Sequence, residues 1–323
     1  MTNRLKVHPI IIPTSLGKLE TINFYLVERD DELILIDAGE NRDTHFQALI
    51  NKLKELNKDL SDLKAILLTH HHSDHTGLVN RIRSKVELPV FAHKRAGVRL
   101  KRDEAYFKRR IHFFKNLYDK HGCGEKGAER VLQLEQSFEK GKDDALAGPL
   151  TYFNDGDFLY GFKVISVPGH SPDQVIFYDE REKVAFVGDH FIKHSPSNAI
   201  YDLLEDGSTF HSLMVYEQSL KKLLNIDIRL AYAGHGEAIT DVKDILNHKL
   251  DRIEQKGRRI LGELTEAMTA MQLAEKMYQG RLNSPILFAL IMSELIGHLE
   301  RLEHFDFVKK LSVRDMLMYE RMK

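Results

Sequence analysis

The stretch "LLTHHHSDHTG", residues 67–77, holds four histidines and one aspartate within six consecutive positions. If the chain is extended there, the side chains of His70 and His72 point to the same side, because successive side chains of a strand alternate. Two imidazoles on one side are typical of a pair of metal ligands, and Asp74 and His75 follow on a turn from which they could reach a second metal. Adjacent histidines are also common on protein surfaces, so other parts of the chain must decide between a metal site and a polar loop.

Three further residues of metal-binding type each follow a predicted strand and stand beside glycine. The segments are "VPGHSPDQ", "FVGDH" and "YAGHGEA". Glycine lets the backbone turn sharply and approach a site closely, and strand ends are where sheet proteins present their chemistry. The pattern therefore predicts a metal site that collects seven side chains: His70, His72, Asp74, His75, His170, Asp189 and His235.

These residues, in this order, resemble the ligand signature of the metallo-β-lactamase superfamily, and "LIDAG" with Asp37 resembles the motif that usually precedes it. The resemblance covers residues 1 to about 240 and implies an αββα sandwich with two metals at the edge between its sheets. It also implies how the ligands divide: His70, His72 and His170 for one metal, Asp74, His75 and His235 for the other, and Asp189 as the bridge.

The chemistry expected of such a site is hydrolysis. Two dications about 3.5 to 4 Å apart can share a hydroxide, because metal binding lowers the pKa of water from ~15.7 to about 7. This metal-bridged hydroxide would attack the substrate, and Asp74 is the expected catalytic residue because it could orient the hydroxide and pass its proton to the leaving group. Asp37 is expected to orient a ligating histidine. Imidazole and carboxylate ligands without a thiolate favour two Zn²⁺, and iron or manganese would also fit.

The bulk properties of the chain indicate a globular protein with two units. Its 323 residues exceed the usual size of a single core, and 42% apolar with 29% charged residues excludes disorder and a fibrous design. We expect a catalytic domain over residues 1–240 and a smaller domain over 241–323. The 47 basic and 48 acidic residues nearly cancel, so no global attraction to nucleic acid or to anionic membranes is expected.

Cysteine usage and hydropathy favour a cytoplasmic location. The single cysteine, Cys123, excludes an internal disulfide and fits a reducing compartment. The N-terminal apolar run is too short for a secretion signal and is broken by Pro13. No window approaches about 18 uninterrupted apolar residues, so we expect no membrane span.

Two groups of β-branched and aromatic runs predict a mixed-sheet α/β domain. The first group is "KVHPIII", "TINFYLV", "ELILID" and "KAILLT", and the second is "FKVISV", "QVIFYD", "KVAFVGD" and "IRLAYAG". Within the first group, residues 43–56 carry apolar side chains at helical spacing, which predicts an amphipathic helix.

A charged segment with helical character, at about residues 94–144, separates the two groups of strands. It holds 14 Lys and Arg against 9 Asp and Glu, and residues 94–120 alone hold 10 against 3, a net charge of +7. One interpretation is a solvated helical insertion, as charge runs usually are. The other is a basic lid over a pocket that accepts an anionic substrate. The candidate substrate-pocket residues are Lys108, Arg109, Arg110, His190, His194 and Tyr201.

The last 80 residues have the order of elements of a winged helix. Residues 241–264 have helical periodicity, a short helix follows with Thr269 as its cap, and a longer helix begins at Ser284 and Pro285 before an extended segment. The longer helix is a poor DNA-recognition surface, because residues 293–301 offer Glu294, His298, Glu300 and Arg301 rather than a basic stripe. We therefore favour a packing or dimerisation role, which makes a homodimer one expected assembly.

The type of ligand at position 189 helps to choose among branches of the superfamily. Many secreted zinc β-lactamases carry Cys there, whereas Asp189 resembles the glyoxalase II type and the RNA-processing type. One RNA-cleaving branch has a large insertion between the bridging Asp and the last His. In this chain only 45 residues separate Asp189 from His235. The helical insertion and the C-terminal segment are instead similar to a group of hydrolases of this fold that includes a winged-helix endoribonuclease subgroup.

Three hypotheses about function remain open. The leading one is a dinuclear-metal hydrolase of an ester or thioester on an anionic carrier of modest size, such as an acyl-glutathione or acyl-CoA. The alternative is a metal-dependent endoribonuclease on single-stranded RNA, for which the basic segment would follow phosphates. The third is a metal-stabilised DNA-binding regulator, against which the complete ligand set argues.

Overall fold

The computed structural model describes residues 5–15, 19–194 and 199–322. The chain divides into two compact units, and each is built from segments that are distant in the sequence. The first unit contains Met1–Lys101, Leu146–Ser197 and Lys221–Leu246, and the second contains Arg102–Ala145, Asn198–Leu220 and Asn247–Lys323.

The strands of the described residues are β1 Lys6–Pro13, β2 Thr21–Arg29, β3 Glu32–Ile36, β4 Leu63–Leu67, β5 Val90–His93, β6 Thr151–Phe153, β7 Phe158–Leu159, β8 Phe162–Ser166, β9 Val175–Asp179, β10 Val184–Gly188, β11 Asp202–Leu203, β12 Thr209–Phe210, β13 Leu230–Ala233, β14 Met268–Thr269, β15 Val308–Val313 and β16 Met316–Arg321. The α-helices are α1 Asp43–Glu55, α2 Ser73–Thr76, α3 Val79–Arg83, α4 Gly97–Leu100, α5 Glu104–Lys120, α6 Gly124–Lys140, α7 Ser212–Leu224, α8 Val242–Glu263, α9 Ala270–Met277 and α10 Pro285–His304.

Two sheets form the centre of the first unit. The first has the strand order β1-β2-β3-β4-β5-β6. Its strand β3 pairs antiparallel with β2 and parallel with β4. The second has the order β13-β10-β9-β8-β7, with only the β10–β13 pair parallel. Parallel strands need crossover connections, which is why helices alternate with strands between β3 and β5.

Apolar side chains fill the space between the two sheets and cover the outer face of the first one. Val27 and Leu67 of the first sheet share a buried cluster with Phe177 and Phe186 of the second. The other face of the first sheet packs against α1 and α3, whose buried residues include Leu49. Strands that are buried on both faces need near-continuous apolar runs, and this explains the composition of "NFYLV" in β2 and "LILI" in β3.

The second unit joins the insertion helices with the C-terminal segment around one apolar core. Phe114 of α5 and Leu134 of α6 belong to the same buried cluster as Leu295 of α10 and Tyr319 of β16. The division into two units therefore differs from the sequence-based division at residue 240. The sequence-based division assigned the insertion to the catalytic domain, whereas in the structure the insertion helices and the C-terminal segment belong to the same unit.

The C-terminal segment has the order of elements expected from the sequence. The helix α8 precedes β14, α9, α10 and the β15–β16 hairpin, and β14 pairs with β16 to make a three-stranded sheet. Thr269 caps α9 in a reciprocal pair with Gln272, and Pro285 is the first residue of α10. No helix within residues 5–15, 19–194 and 199–322 is both long and apolar enough to cross a bilayer.

Candidate metal centre

The predicted ligands gather at the ends of strands in the first unit. Strand β4 leads through residues 68–72 into α2, with His72 as the N-cap residue of that helix. The other three ligands stand after or between strands of the second sheet: His170 between β8 and β9, Asp189 directly after β10, and His235 shortly after β13.

Three imidazoles form a first group. Nε2 of His70 and Nε2 of His170 each lie 3.0 Å from Nδ1 of His72, and one nitrogen from each ring lies within 4.8 Å of the others. Such a spacing matches three nitrogen ligands around one cation, because metal–nitrogen distances are about 2.0–2.1 Å for zinc.

A second group combines two carboxylates with two imidazoles. Nε2 of His75 lies 3.2 Å from Oδ1 of Asp189 and 3.8 Å from Oδ2 of Asp74. Nε2 of His235 lies 3.1 Å from Oδ2 of Asp189 and 3.4 Å from Oδ2 of Asp74. The four ligand atoms therefore surround one small space.

The Asp189 carboxylate adjoins both groups. Its Oδ2 lies 3.6 Å from Nε2 of His170 in addition to its contact with His235. The side chain of Asp189 is buried, whereas His72 and Asp74 are partly exposed. Solvent therefore reaches the two groups beside His72 and Asp74.

Asp37 orients His75 and the segment that carries His70. Its Oδ2 accepts hydrogen bonds from Nδ1 of His75 and from the Thr69 hydroxyl, each at 2.8 Å, and its Oδ1 accepts one from the Thr69 backbone N–H at 2.8 Å. The Thr69 hydroxyl lies 3.1 Å from Nδ1 of His70. Because the Nδ1 atoms of both rings face these partners, the Nε2 atoms point into the two groups.

A backbone carbonyl and a glycine complete the arrangement around His235. Nδ1 of His235 donates to the carbonyl oxygen of Thr21 at 2.6 Å, which turns Nε2 towards the Asp189 carboxylate. Gly234 brings the backbone so close that a Cβ there would lie 2.4 Å from both Oδ1 of Asp189 and Cε1 of His75. The absence of a side chain at residue 234 is thus a condition for the second group to form.

Two histidines of the first group, His70 and His72, favour the neutral form of the imidazole. Burial, together with neighbouring imidazoles, lowers the pKa of His70 and the pKa of His72 well below the usual value. Neutral imidazole is the form that binds a metal, so these rings are ready as ligands at neutral pH.

The second group has a different charge state. Burial opposes the charged forms, but the facing histidines outweigh it and hold the pKa of Asp189 well below its usual range. Burial likewise lowers the pKa of His235, but Asp189 and Asp74 outweigh it and raise that pKa to about 9. Burial also opposes the charged form of His75, but the same carboxylates and Asp37 outweigh it and raise the pKa of His75 well above its usual value. The carboxylates thus favour positive charge among the side chains of the second group, either as protons on its histidines or as a bound cation.

The donor set fits divalent metal ions. Nε2 of His75 and Oδ1 of Asp189 are buried and lie 3.2 Å apart, but neither makes a well-aligned hydrogen bond within the described residues, although buried polar atoms are nearly always paired. Imidazole nitrogen and carboxylate oxygen are ligands that zinc, iron and manganese accept. We conclude that the residues present suit bound cations.

The predicted pocket residues have varied surroundings. His190 is buried, and the exposed His194 contacts Oε1 of Glu237 at 3.1 Å beside a cavity of about 20 Å³ that His235 also lines. Tyr201 belongs to the second unit, where its buried hydroxyl donates to Oε1 of Glu300 at 2.6 Å. The Tyr201 hydroxyl is thus engaged with a carboxylate of the second unit.

The three basic residues of the predicted lid belong to the second unit and differ in exposure. Lys108 is exposed, pairs with Glu104, and lines a surface groove of about 440 Å³ between α5 and α6. Arg109 is exposed. Nε of Arg110 is 2.6 Å from Oδ1 of the buried Asp202, so Arg110 is held in an ion pair inside its unit.

Sequence reasoning missed the carboxylate of Asp173. It is fully buried, and its Oδ1 accepts a hydrogen bond from Nδ1 of His71 at 2.7 Å. The signal in the sequence was its place in "VPGHSPDQ", three residues after His170.

Comparisons with known proteins lead to one family. The model of the metallo-beta-lactamase superfamily matches residues 17–235. The probable metallo-hydrolase YqjP of Bacillus subtilis (strain 168) is 30% identical over 300 residues, which cover 91% of each chain. An atrochrysone carboxyl ACP thioesterase of Aspergillus fumigatus is 23% identical over 306 residues, covering 90% of this chain and 79% of that protein. The metallo-beta-lactamase family protein TTHA1429 of Thermus thermophilus superposes with a TM-score of 0.78 at 25% identity, covering 98% of both chains.

Proposed function

Because the chain belongs to the metallo-β-lactamase superfamily and is a metal-dependent hydrolase, we propose that it hydrolyses an ester or thioester on an anionic carrier. The observation that supports this proposal is the convergence of seven donor side chains into two groups that share the Asp189 carboxylate. We propose two Zn²⁺ as the resident ions. His70, His72 and His170 would hold one ion, Asp74, His75 and His235 would hold the other, and Asp189 would contact both.

Bound cations would supply Lewis acidity and a water of lowered pKa. The chain itself supplies orientation and proton transfer. Asp37 accepts a hydrogen bond from Nδ1 of His75, and the Thr21 carbonyl accepts one from Nδ1 of His235. These bonds keep the Nε2 atoms of both rings in fixed positions. Fixed donors cost no reorganisation during the reaction, which is the main source of electrostatic catalysis.

Asp74 is the proposed proton carrier. Its carboxylate is partly exposed, and burial raises its pKa while His75 and His235 outweigh that effect and hold the pKa well below the usual range. A carboxylate that is ionised and open to solvent can accept the proton of the attacking water and pass it to the leaving alkoxide or thiolate.

The substrate class rests on two kinds of support. One relative, which covers most of this chain, is named an ACP thioesterase, that is, an enzyme for an acyl group in thioester linkage to a carrier. The basic segment at residues 94–120 carries a net charge of +7, which favours an anionic carrier. We therefore place acyl-CoA and acyl-glutathione ahead of neutral esters.

A substrate panel with zinc-loaded protein tests the proposal. It contains an acyl-CoA, an acyl-glutathione, a neutral acyl-pantetheine with the same acyl group, p-nitrophenyl acetate and labelled single-stranded RNA. We expect turnover of the thioesters, with a lower KM for the two anionic carriers than for pantetheine. Cleavage of the RNA without turnover of any ester would replace the proposal with the endoribonuclease alternative. The Asp74→Asn variant, purified in parallel, controls for contaminating hydrolases.

The contribution of the basic segment can be measured separately. The double reversal Lys108→Glu and Arg109→Glu should raise the KM for acyl-CoA about tenfold and leave the KM for acyl-pantetheine unchanged. Arg110 is left intact because its reversal would break the buried pair with Asp202. Reversal of the exposed Lys309 is the matched control, and an unchanged KM in the double variant would exclude the carrier-binding role.

The winged-helix identity of residues 241–323, a homodimer and a cytoplasmic location stay predictions. The order of α8, β14, α9, α10 and the β15–β16 hairpin supports the first of these. A DNA-binding regulator is not favoured, since the ligand groups described above have a direct use in hydrolysis.

A further inference from the structure

Asp173 and His71 form a buried pair beside the first group of imidazoles. Oδ1 of Asp173 lies 2.7 Å from Nδ1 of His71, the Asp173 side chain has no exposed surface, and the His71 side chain is 16% exposed. Neither residue is among the proposed ligands. A fully buried carboxylate is costly unless it is paired, so its presence here needs an explanation.

The pair joins two segments that are far apart in the sequence. His71 stands between the ligands His70 and His72, and Asp173 stands three residues after His170. The His71–Asp173 contact therefore joins the same two segments as the contact between His72 Nδ1 and His170 Nε2, which are 3.0 Å apart. In the sequence these two contacts span 102 and 98 positions.

We propose that Asp173 is a positioning residue for the first metal: through His71 it fixes the separation of His72 Nδ1 and His170 Nε2, and thereby sets the affinity of the three-imidazole group without contacting the ion. The inference rests on the proposed metal centre. It assigns a role to His71, the one histidine of residues 70–75 that belongs to neither ligand group: through its bond to Asp173 it holds the segment between β4 and α2 in place.

The surroundings of Asp173 support a fixed, ionised carboxylate. Burial alone would raise its pKa, but His71 and the buried Arg99 outweigh that effect and hold the pKa well below the usual range. An ionised Asp173 accepts strongly from the N–H of His71, since hydrogen bonds to charged groups are shorter and stronger than neutral ones.

Stepwise Zn²⁺ affinities, measured by competition with a chromophoric chelator, test the inference. The His72→Ala variant first identifies which binding step belongs to the three-imidazole group. Asp173→Ala should weaken that same step about 10- to 100-fold and leave the other step unchanged, which is the usual effect of removing a group that orients a ligand. Asp173→Asn, whose amide oxygen can still accept from Nδ1, should restore most of the affinity.

A double-mutant cycle separates positioning from general stability. If Asp173 acts through His71, then His71→Ala should weaken the same step, and the double variant should be no weaker than either single one. The matched control is Asp179→Ala in β9, which removes another fully buried carboxylate, one that pairs with Arg29 at 2.7 Å. This control should lower the unfolding temperature and keep both steps.

The possible outcomes are distinct. Unchanged affinities in folded Asp173→Ala, or an equal loss in both steps, would overturn the positioning role. Should Asp173→Ala fail to fold, the partly exposed His71→Ala carries the test with the same two criteria. A wild-type protein that binds no Zn²⁺ would instead refute the proposed metal centre itself.

Discussion

At the scale of single residues, His72 is the side chain on which the three-imidazole group depends. Its Nδ1 is the atom that lies 3.0 Å from both His70 Nε2 and His170 Nε2. His72 is the N-cap residue of α2, with an extended backbone, and its Nδ1 is the ring atom that faces the other two imidazoles.

Replacing this residue should remove one metal. The His72→Ala variant leaves two imidazoles in the first group, so we expect one equivalent of bound metal to be lost and turnover to fall at least about 100-fold. Elemental analysis and a thioester assay measure the two effects. The matched control is His8→Ala, a partly exposed histidine in β1 of the same unit. A variant that still held two equivalents of metal would contradict the ligand assignment.

The Asp74→Asn variant should separate the role of Asp74 as a metal ligand from its role in proton transfer. In Asp74→Asn the amide oxygen can still face His235 and His75, so at least one equivalent of metal should stay bound. The loss of an ionisable oxygen should cut kcat by about 10²- to 10⁴-fold, the usual contribution of a general base. Metal analysis beside steady-state kinetics gives both quantities. Full activity in this variant would show that the proton passes through another group.

At the scale of elements, the ends of β4, β8, β10 and β13 determine where the ligands lie. A glycine at the end of β10 lets two strands approach closely: a Cβ at Gly188 would lie 2.6 Å from the Thr69 hydroxyl, and Gly188 also has a φ of +48°. The backbone of β10 thereby contacts the segment that carries His70. The same argument applies to Gly234 after β13.

Gly234→Ala should therefore damage the centre without touching a ligand. The new Cβ would meet Asp189 Oδ1 and His75 Cε1 at 2.4 Å, so one of them must move. A displacement of this size in a catalytic group typically costs about 100-fold in rate, and we expect kcat to fall by that factor. Gly262→Ala in α8, where nothing lies within 4 Å of the new Cβ, is the control and should raise stability slightly. Normal kinetics in Gly234→Ala would show that the backbone adapts.

At the scale of the whole molecule, the second unit contains two buried histidines that bind no proton at neutral pH. Burial lowers the pKa of His121 and that of His298 to about 4 each. The His121 ring stacks on Tyr319, and Nδ1 of His298 has no hydrogen-bond partner among the described residues. Around His298, Lys256 and Arg301 also oppose protonation, whereas Glu294 and Glu217 favour it.

These histidines should make the second unit sensitive to acid. The unfolded chain takes up the protons near pH 6.5 and the folded unit only near pH 4, so unfolding is favoured progressively as pH falls between these values. Each histidine should remove about 1.4 kcal/mol of unfolding free energy per pH unit within that window. Urea unfolding at about pH 7 and about pH 5 measures the loss of unfolding free energy, and His298→Leu should make that loss smaller.

The exposed His304 of the same helix provides the control. His304→Leu should leave the pH dependence unchanged, because the His304 side chain is exposed to solvent. An equal pH dependence in His298→Leu and the wild type would exclude His298 as a source of acid sensitivity.

The fold class and the family could be predicted from the sequence because their signals are local. Strands appear as β-branched and aromatic runs, and ligands appear as His and Asp beside glycine at strand ends. The mixed α/β fold and the hydrolase class were confirmed by the family match over residues 17–235 and by the superposition on a solved structure. The helix starts at Thr269 and Pro285 were also predicted correctly, since capping depends on a few neighbouring residues.

The partners of individual side chains were decided by packing between distant segments. The residue types of Tyr201, Arg110 and Asp173 were visible in the sequence, but the carboxylates and the imidazole that they contact lie about 90 to 100 positions away. The shared core of the insertion and the C-terminal helices is equally non-local. Chain composition and spacing thus determined which atoms are available for chemistry, and the tertiary structure decided which of them meet, because contacts over such separations form only when whole sheets and helices pack.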